Sequence, residues 1–380
     1  MSNHVYVQGV GMIKFGRFAE RTVFELGADA ALLALDDAGV PLGAIQALYC
    51  GNVYEANNMP GQKILRQIGQ TGIEVVNASA ACASGATAFR LGWAAIKAGL
   101  YDAVLVVGCE QMGAAGLLKP RNQGTPIPTE GVLGSGLMPA VFAELGVAYM
   151  NAHGATFEDF AMVSVKNHEH AIDNPLAMYN KPTPLDMVTS SEMIAWPNTK
   201  LMCSVNVDGA AAAVLVSETK AKQLGMKRAI RVAGSSLRSD RYTERNLALP
   251  DINTCSKEAA QDAYRQSSVD PRELDLVELH DCFATAELLH YENLGLCGEG
   301  QAPKLLRDRV TWAGGRTPVN LSGGLLSKGH PLGATGVANI VEVTTQLRGE
   351  AGKRQRPDAK VGLTHVVGFG SCAAVHVLQR

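Results

Sequence analysis

The sequence predicts an α/β protein made of two related halves, with a loop domain inserted into the first. Three observations carry this. Short apolar runs of strand character alternate with longer stretches of helical period. A helix–turn–strand pattern, residues 34–41 followed by 45–49, recurs with matching spacing at residues 263–271 and 274–279. Further on, Val76-Asn77-Ala78-Ser79 precedes a small-residue segment, a helix and a strand ending Val106-Val107-Gly108. Val319-Asn320-Leu321-Ser322 precedes the same series, ending Val366-Val367-Gly368. Two echoes in the same order argue for a duplicated unit of roughly 110–150 residues.

In the first half, residues 5–10 read as strand, 22–37 as helix, 47–53 as strand and 61–68 as helix. A strand at 75–78, a helix from about 84 to 98 and a strand at 103–108 follow. The next segment, about Gly113 to Met202, is richer in Pro, Asn and Met and poor in strand signals, with a helix at 156–172. It reads as the inserted loop domain. The apolar run at 208–217 then returns to the first half as a core strand. The second half opens with a strand at 229–233 and closes with one at 373–378. The chain divides into 1–112 with 203–225, the insert 113–202, and 226–380. Mixed sheets buried by helices on both faces are expected.

Bulk properties exclude several classes. Of 380 residues, 47% are hydrophobic and 18% charged, which supports a large core rather than disorder. A net charge of -2 offers no footprint for nucleic acid. No apolar run approaches the ~20 residues of a membrane helix, and neither a signal-peptide layout nor a Ser-Lys-Leu ending is present. A cytoplasmic enzyme is expected. None of the eight cysteines forms a Cys-x-x-Cys pair, so no zinc site or redox pair is announced by spacing. Most read as small buried hydrophobes.

Four segments carry chemistry. Cys82 lies between a short strand and a helix whose first turn is all small residues, Ala81-Cys82-Ala83-Ser84-Gly85-Ala86. A helix N-terminus favours thiolate, and small neighbours leave room for a bulky acyl thioester. A structural buried Cys is the plain alternative. His330, in Gly329-His330-Pro331, lies just before a predicted helix in the segment that mirrors the Cys82 segment. Pseudo-twofold packing would bring the two together as a Cys–His pair. The phosphate-loop spacing Gly-x4-Gly-Lys-Ser/Thr is absent. His280-Asp281-Cys282-Phe283 ends a predicted strand at 276–279, where α/β proteins place functional groups; Asp281 also reads as a helix cap. Last, Gly368-Phe369-Gly370 follows a strand and would expose backbone N–H groups for an oxyanion, with Cys372 close behind.

These four segments, in this order and over essentially the whole chain, resemble the thiolase superfamily. Cys82-Ala83-Ser84 is similar to its nucleophile loop and Gly329-His330-Pro331 to its His loop. The third loop, His280-Asp281-Cys282-Phe283, resembles the sterol-carrier-protein type, as do Ser327–Gly336 and Gln346–Gln355. The resemblance implies duplicated βαβαβαββ halves in a layered α/β/α/β/α core. The chain ends at Arg380, so no appended sterol-carrier domain is expected. Ordinary thiolases carry a second catalytic Cys in a Cys-x-Gly loop; here Val366 holds that position, before Gly368.

The resemblance implies an acyl-CoA C-acyltransferase of lipid metabolism that cleaves 3-ketoacyl-CoA with CoA, or runs the reverse Claisen condensation. Cys82 would be the nucleophile and His330 its base. Cys282 would be the acid/base thiol in place of the missing Cys, with Cys372 the second choice. An unperturbed thiol pKa of ~8.5 suits that shuttle. His280 would help hold the enolate oxygen, and the backbone N–H groups of Cys82 and Gly368 would form an oxyanion hole. CoA enters as substrate, and no permanently bound cofactor or metal is expected. Acyl-CoA and CoA are the expected partners, with a second copy of the chain in a homodimer or tetramer. The strand at 104–107, apolar on both faces, is a reason to expect that cover. Two alternatives stand: a thiolase-fold aldolase acting on 3-hydroxyacyl-CoA, and a non-catalytic acyl-CoA- or lipid-binding protein. Neither needs Cys82, His330 and Cys282 together.

Overall fold

The computed structural model describes residues 4–113, 138–242, 251–369 and 372–380. Gly370 of the expected Gly-rich turn and residues 114–137 of the expected insert lie outside them. The strands are β1 (Val5–Met12), β2 (Ala47–Gly51), β3 (Glu74–Ala78), β4 (Ala103–Glu110), β5 (Met193–Ala195), β6 (Asn198–Thr199), β7 (Gly209–Ser217), β8 (Ile230–Ser239), β9 (Leu276–Glu278), β10 (Val361–Gly368) and β11 (Cys372–Gln379). The helices are α1 (Val23–Ala38), α2 (Pro60–Ile68), α3 (Ser84–Lys97), α4 (Met138–His153), α5 (Phe157–Ala171), α6 (Leu185–Thr189), α7 (Glu218–Leu224), α8 (Ile252–Ser267), α9 (Ala284–Asn293), α10 (Ala302–Arg307), α11 (Gly324–Ser327) and α12 (Leu332–Arg348).

Local sequence explains the element ends. Thr22 caps α1 and forms a capping box with Glu25, and Thr156 does the same for α5 with Asp159. α1 stops at Gly39, which adopts φ 61°. Its counterpart α8 stops at Ser268, at φ 58°. Both halves therefore end the same helix on a left-handed residue, although only one uses glycine.

The large sheet runs β3-β2-β4-β7-β1-β8-β11-β10-β9. β1 and β8 pair only at Tyr6–Arg231 and Val7–Ile230. Outward from that seam the two sides repeat one pattern. β7 and β11 are antiparallel to both neighbours, while β2 and β9 pair parallel to β4 and β10. The counterpart of β3 shrinks to a single bridge, Val277 with Val319. Its next residue explains why: Asn320 turns to φ 60° and spends its side chain on Leu279 N–H and Glu287 instead.

Helices α3 and α12 pack on each other and touch strands of both halves, forming a central layer. α1 covers β1, β4 and β7 from outside, and α8 covers β8 and β11. This is the α/β/α/β/α order. The central helices cross at backbone contact. A β-carbon on Gly85 would lie 2.4 Å from Gly333 O, and one on Gly336 would lie 2.4 Å from Ala86 N. Gly85 and Ala86, in the small-residue segment after Cys82, thus serve the packing of α3 on α12. β4 is buried along its whole length by these same helices. Its two apolar faces therefore give no reason to invoke a second chain, contrary to the expectation drawn from 104–107. Among the described residues, no helix is long and apolar enough to cross a membrane.

Candidate active site

Cys82 stands two residues before α3, at the end of a tight turn leaving β3. Ala83 N–H donates to Ala80 O, and Ser84 N–H to Ala81 O. The Ser84 hydroxyl donates to Ala81 O at 2.6 Å and accepts from Ala80 N–H at 2.8 Å. Ala81 is held at φ 48°, a conformation unfavourable for a residue with a β-carbon. The turn thus stores strain next to the thiol.

His330 enters at the start of α12. Gly329 must be glycine: its φ is 114°, and a β-carbon would lie 2.5 Å from the Val207 side chain. His330 N–H donates to Val205 O, which pins the loop to the β7 approach. The His330 Nδ1–Thr335 Oγ1 distance is 2.7 Å, and the Thr335 hydroxyl donates to Pro331 O at 3.0 Å. A hydroxyl has one proton, so Thr335 accepts from Nδ1–H. His330 Nε2 is therefore left with its lone pair and has no protein partner among the described residues.

The third loop follows β9. Asp281 does not cap α9, as its position suggests. Its carboxylate accepts from Leu325 N–H at 2.8 Å and from Leu326 N–H, at the start of α11, and from Asn167 Nδ2. It thereby ties the loop to the Gly-rich segment and to α5. His280 and Cys282 are buried, and neither ring nitrogen of His280 has a hydrogen-bond partner among the described residues.

These loops converge. Cys82 Sγ and ring nitrogens of His280 and His330 all lie within 4.8 Å of one another, with all three side chains buried. The two imidazoles meet edge to face at 5.1 Å. Burial drives His280 down to about 3, and burial, His280 and the Lys328 charge hold His330 well below the usual range. Both are neutral bases at neutral pH. Burial, then the neighbouring Cys82, pushes the Cys282 thiol well above its ordinary value. In the resting site Cys282 is thus a protonated thiol, a stronger departure than an unperturbed pKa allows.

Gly368 ends β10 against the turn that carries Cys82: a β-carbon there would lie 2.3 Å from Ala80 O. The close approach of strand to turn demands glycine. Val366 and Cys82 share one apolar cluster, with Cys372 packed at its border. Cys372 is half-buried, and burial raises its thiol.

Comparison with known proteins decides the family. Residues 5–193 match the model "Thiolase, N-terminal domain", and residues 242–380 match "Thiolase C-terminal domain-like". The chain belongs to the thiolase family. This thiolase is 37% identical to sterol carrier protein 2 of Bos taurus over 390 residues, covering 99% of this chain and 72% of that protein. It is 36% identical to the acetyl-CoA acetyltransferase of Methanothermobacter thermautotrophicus over 388 residues, 99% of each. Among solved structures, the Ltp2-ChsH2(DUF35) aldolase superposes with a TM-score of 0.86 at 24% identity, covering 99% of this chain and 97% of that one; this likeness speaks to the fold alone.

The sequence reading of this thiolase missed the charges beneath the loops. Lys328 and Glu278 are buried 3.6 Å apart, and Glu278 also accepts from Ser322 N–H. Lys166 and Glu287 pair at 2.7 Å, both fully buried, and Asn320 and Asn167 donate to Glu287. Glu110, at the end of β4, accepts from Val53 and Tyr54 N–H and from Gly333 N–H in the first turn of α12. A signal was present: Glu278 and Glu110 are lone acids ending apolar strand runs. Their partners lie elsewhere in the chain.

Proposed function

We propose that this thiolase-family acyltransferase cleaves 3-ketoacyl-CoA with CoA, and runs the reverse condensation, through an acyl thioester on Cys82. The observation that carries the reading is the convergence of Cys82, His330 and His280 in one buried site. In thiolysis, His330 Nε2 takes the Cys82 proton and the thiolate attacks the 3-keto carbon. Backbone N–H groups of Cys82 and Gly368 are the proposed donors to the oxyanion. The bond between C2 and C3 then breaks. His280 holds the enolate oxygen of the departing acetyl-CoA, and Cys282 gives its proton to C2. In the second half, the Cys282 thiolate takes the CoA thiol proton. CoA attacks the thioester, and Cys82 leaves with the proton held on His330.

The electrostatics support these roles. A neutral His330 is able to accept a proton, and a high thiol pKa makes Cys282 a donor to a carbanion. An acylated Cys82 cannot ionise, so its contribution to raising Cys282 is absent when Cys282 acts as base. CoA and acyl-CoA are the proposed partners, together with a second copy of this chain; these steps call on no resident cofactor.

The test is intact mass after mixing with acetoacetyl-CoA in the absence of added CoA. The wild type should carry one acetyl group and Cys82→Ser none. Turnover without an adduct, or an adduct that survives in Cys82→Ser, would refute the assignment.

A further inference from the structure

The residues that converge for acyl transfer also form a ligand set. One thiol and two imidazoles lie within 4.8 Å of one another and are buried. A thiolate with two neutral imidazoles is a donor set that suits zinc and its soft neighbours, whereas magnesium and calcium require oxygen. In a tetrahedral zinc complex, with Zn–S about 2.3 Å and Zn–N about 2.0 Å, donor atoms stand roughly 3.5 Å apart. Closing this set asks for shifts of about an ångström, within reach of small rotations of three side chains.

A second observation points to a ligand. His330 Nε2 and both ring nitrogens of His280 have no partner among the described residues, and both side chains are 1% exposed. Buried polar atoms are rarely left so. The Thr335 contact that consumes Nδ1–H also aims the free His330 lone pair, the way a second-layer group orients a metal-bound imidazole. The ligands come from residues 82, 280 and 330, so no Cys-x-x-Cys or His-x-x-x-His spacing reveals them.

We propose that the catalytic site of this protein is also a binding site for a soft divalent metal ion, zinc foremost, and that the metal holds the unacylated enzyme inactive by occupying Cys82, His280 and His330. Binding breaks the Cys82 S–H bond and its proton passes to the buffer. The thiolate and two neutral imidazoles fill three positions and water fills the fourth. Acylation consumes the same sulfur, so acyl-enzyme and metal-enzyme exclude each other. The inhibitory half of the proposal rests on the acyl-transfer reading; metal binding itself does not.

Cobalt(II) is the probe. EDTA-treated, dialysed wild-type enzyme is titrated with cobalt(II) and followed by absorption. A thiolate-to-cobalt charge-transfer band should grow to one equivalent, with the intense visible bands of four-coordination, and zinc should bleach both. Cys82→Ser should lose the charge-transfer band, and His280→Ala should bind at least about tenfold more weakly. Wild-type enzyme first acetylated with acetoacetyl-CoA serves as a control that needs no mutation, and it should give no band. Millimolar magnesium should not compete. One equivalent of zinc should abolish thiolysis and EDTA should restore it. Absence of the band in the wild type, or its persistence in Cys82→Ser or in the acetyl-enzyme, overturns the metal site. An enzyme that forms the acetyl adduct but no cobalt complex refutes this proposal alone. One that forms the complex but no adduct refutes the acyl-transfer reading and leaves the metal site standing.

Discussion

Thr335 decides which nitrogen of His330 is basic, and Thr335→Val tests this. Valine keeps the shape and removes only the hydroxyl, so the packing of α12 is preserved. The lost contact is 2.7 Å long and fully enclosed. With the native tautomer, Nδ1–H is left buried without an acceptor, which costs about 1–3 kcal/mol. With the other tautomer, the proton already sits on Nε2 and the ring cannot accept one from Cys82. Either way the reactive state becomes scarcer by that amount. At about 1.4 kcal/mol per factor of ten, acylation of Cys82 should slow roughly 5- to 150-fold. The assay is single-turnover acetylation from acetyl-CoA, read by intact mass in quenched samples. The loss should fall on the rate at saturating substrate rather than on KM. Thr335→Ser, which restores the hydroxyl, should recover most of it. Folded Thr335→Val that acylates within about threefold of the wild type would refute the tautomer argument.

Cys282→Ala should still accept an acetyl group on Cys82 but fail at deuterium wash-in to C2 of acetyl-CoA. Cys372→Ala should be nearly normal apart from about 1 kcal/mol of packing; the reverse outcome exchanges the two roles. Gly368→Ala places a methyl group 2.3 Å from Ala80 O, displacing the nucleophile turn by roughly 1 Å, and acylation measured in the same way should fall on the order of 100-fold. Burial raises the Glu110 carboxyl from 4.5 to about 7, so the folded state holds its proton more tightly than the unfolded state. The resulting stabilisation is complete below the unfolded value and is lost as pH rises through about 7. Urea midpoints should accordingly fall less from pH 5 to pH 8 in Glu110→Gln than in the wild type, and equal slopes would refute this. β3 leaves one edge of the sheet open, and light scattering should give at least about twice the 40.1 kDa chain mass, whereas a monomer would refute pairing.

The sequence by itself determined what is local. Thr22 with Glu25 and Gly39 set the ends of α1, and apolar runs of the right length set β4 and β7. The doubled pattern announced two halves. Cys82 stood out where a strand gives way to a helix, and His330 stood out just before a helix in the mirroring segment. Such signals need only neighbours a few residues away, since capping and period are short-range effects. Only the tertiary structure decided how those residues work. The β1–β8 seam sets the two halves against α3 and α12, and glycine-to-backbone contacts at their crossing join the two helix starts that carry Cys82 and His330. It also decided that Asp281 caps α11 rather than α9, that Glu110 reaches α12, and that β4 is covered by its own chain. It made Cys282 a weak acid and His280 a neutral base. The reason is physical: desolvation and charge act through space. The groups that set each proton affinity here come together from positions as far apart as 82 and 330, and no window of sequence contains them.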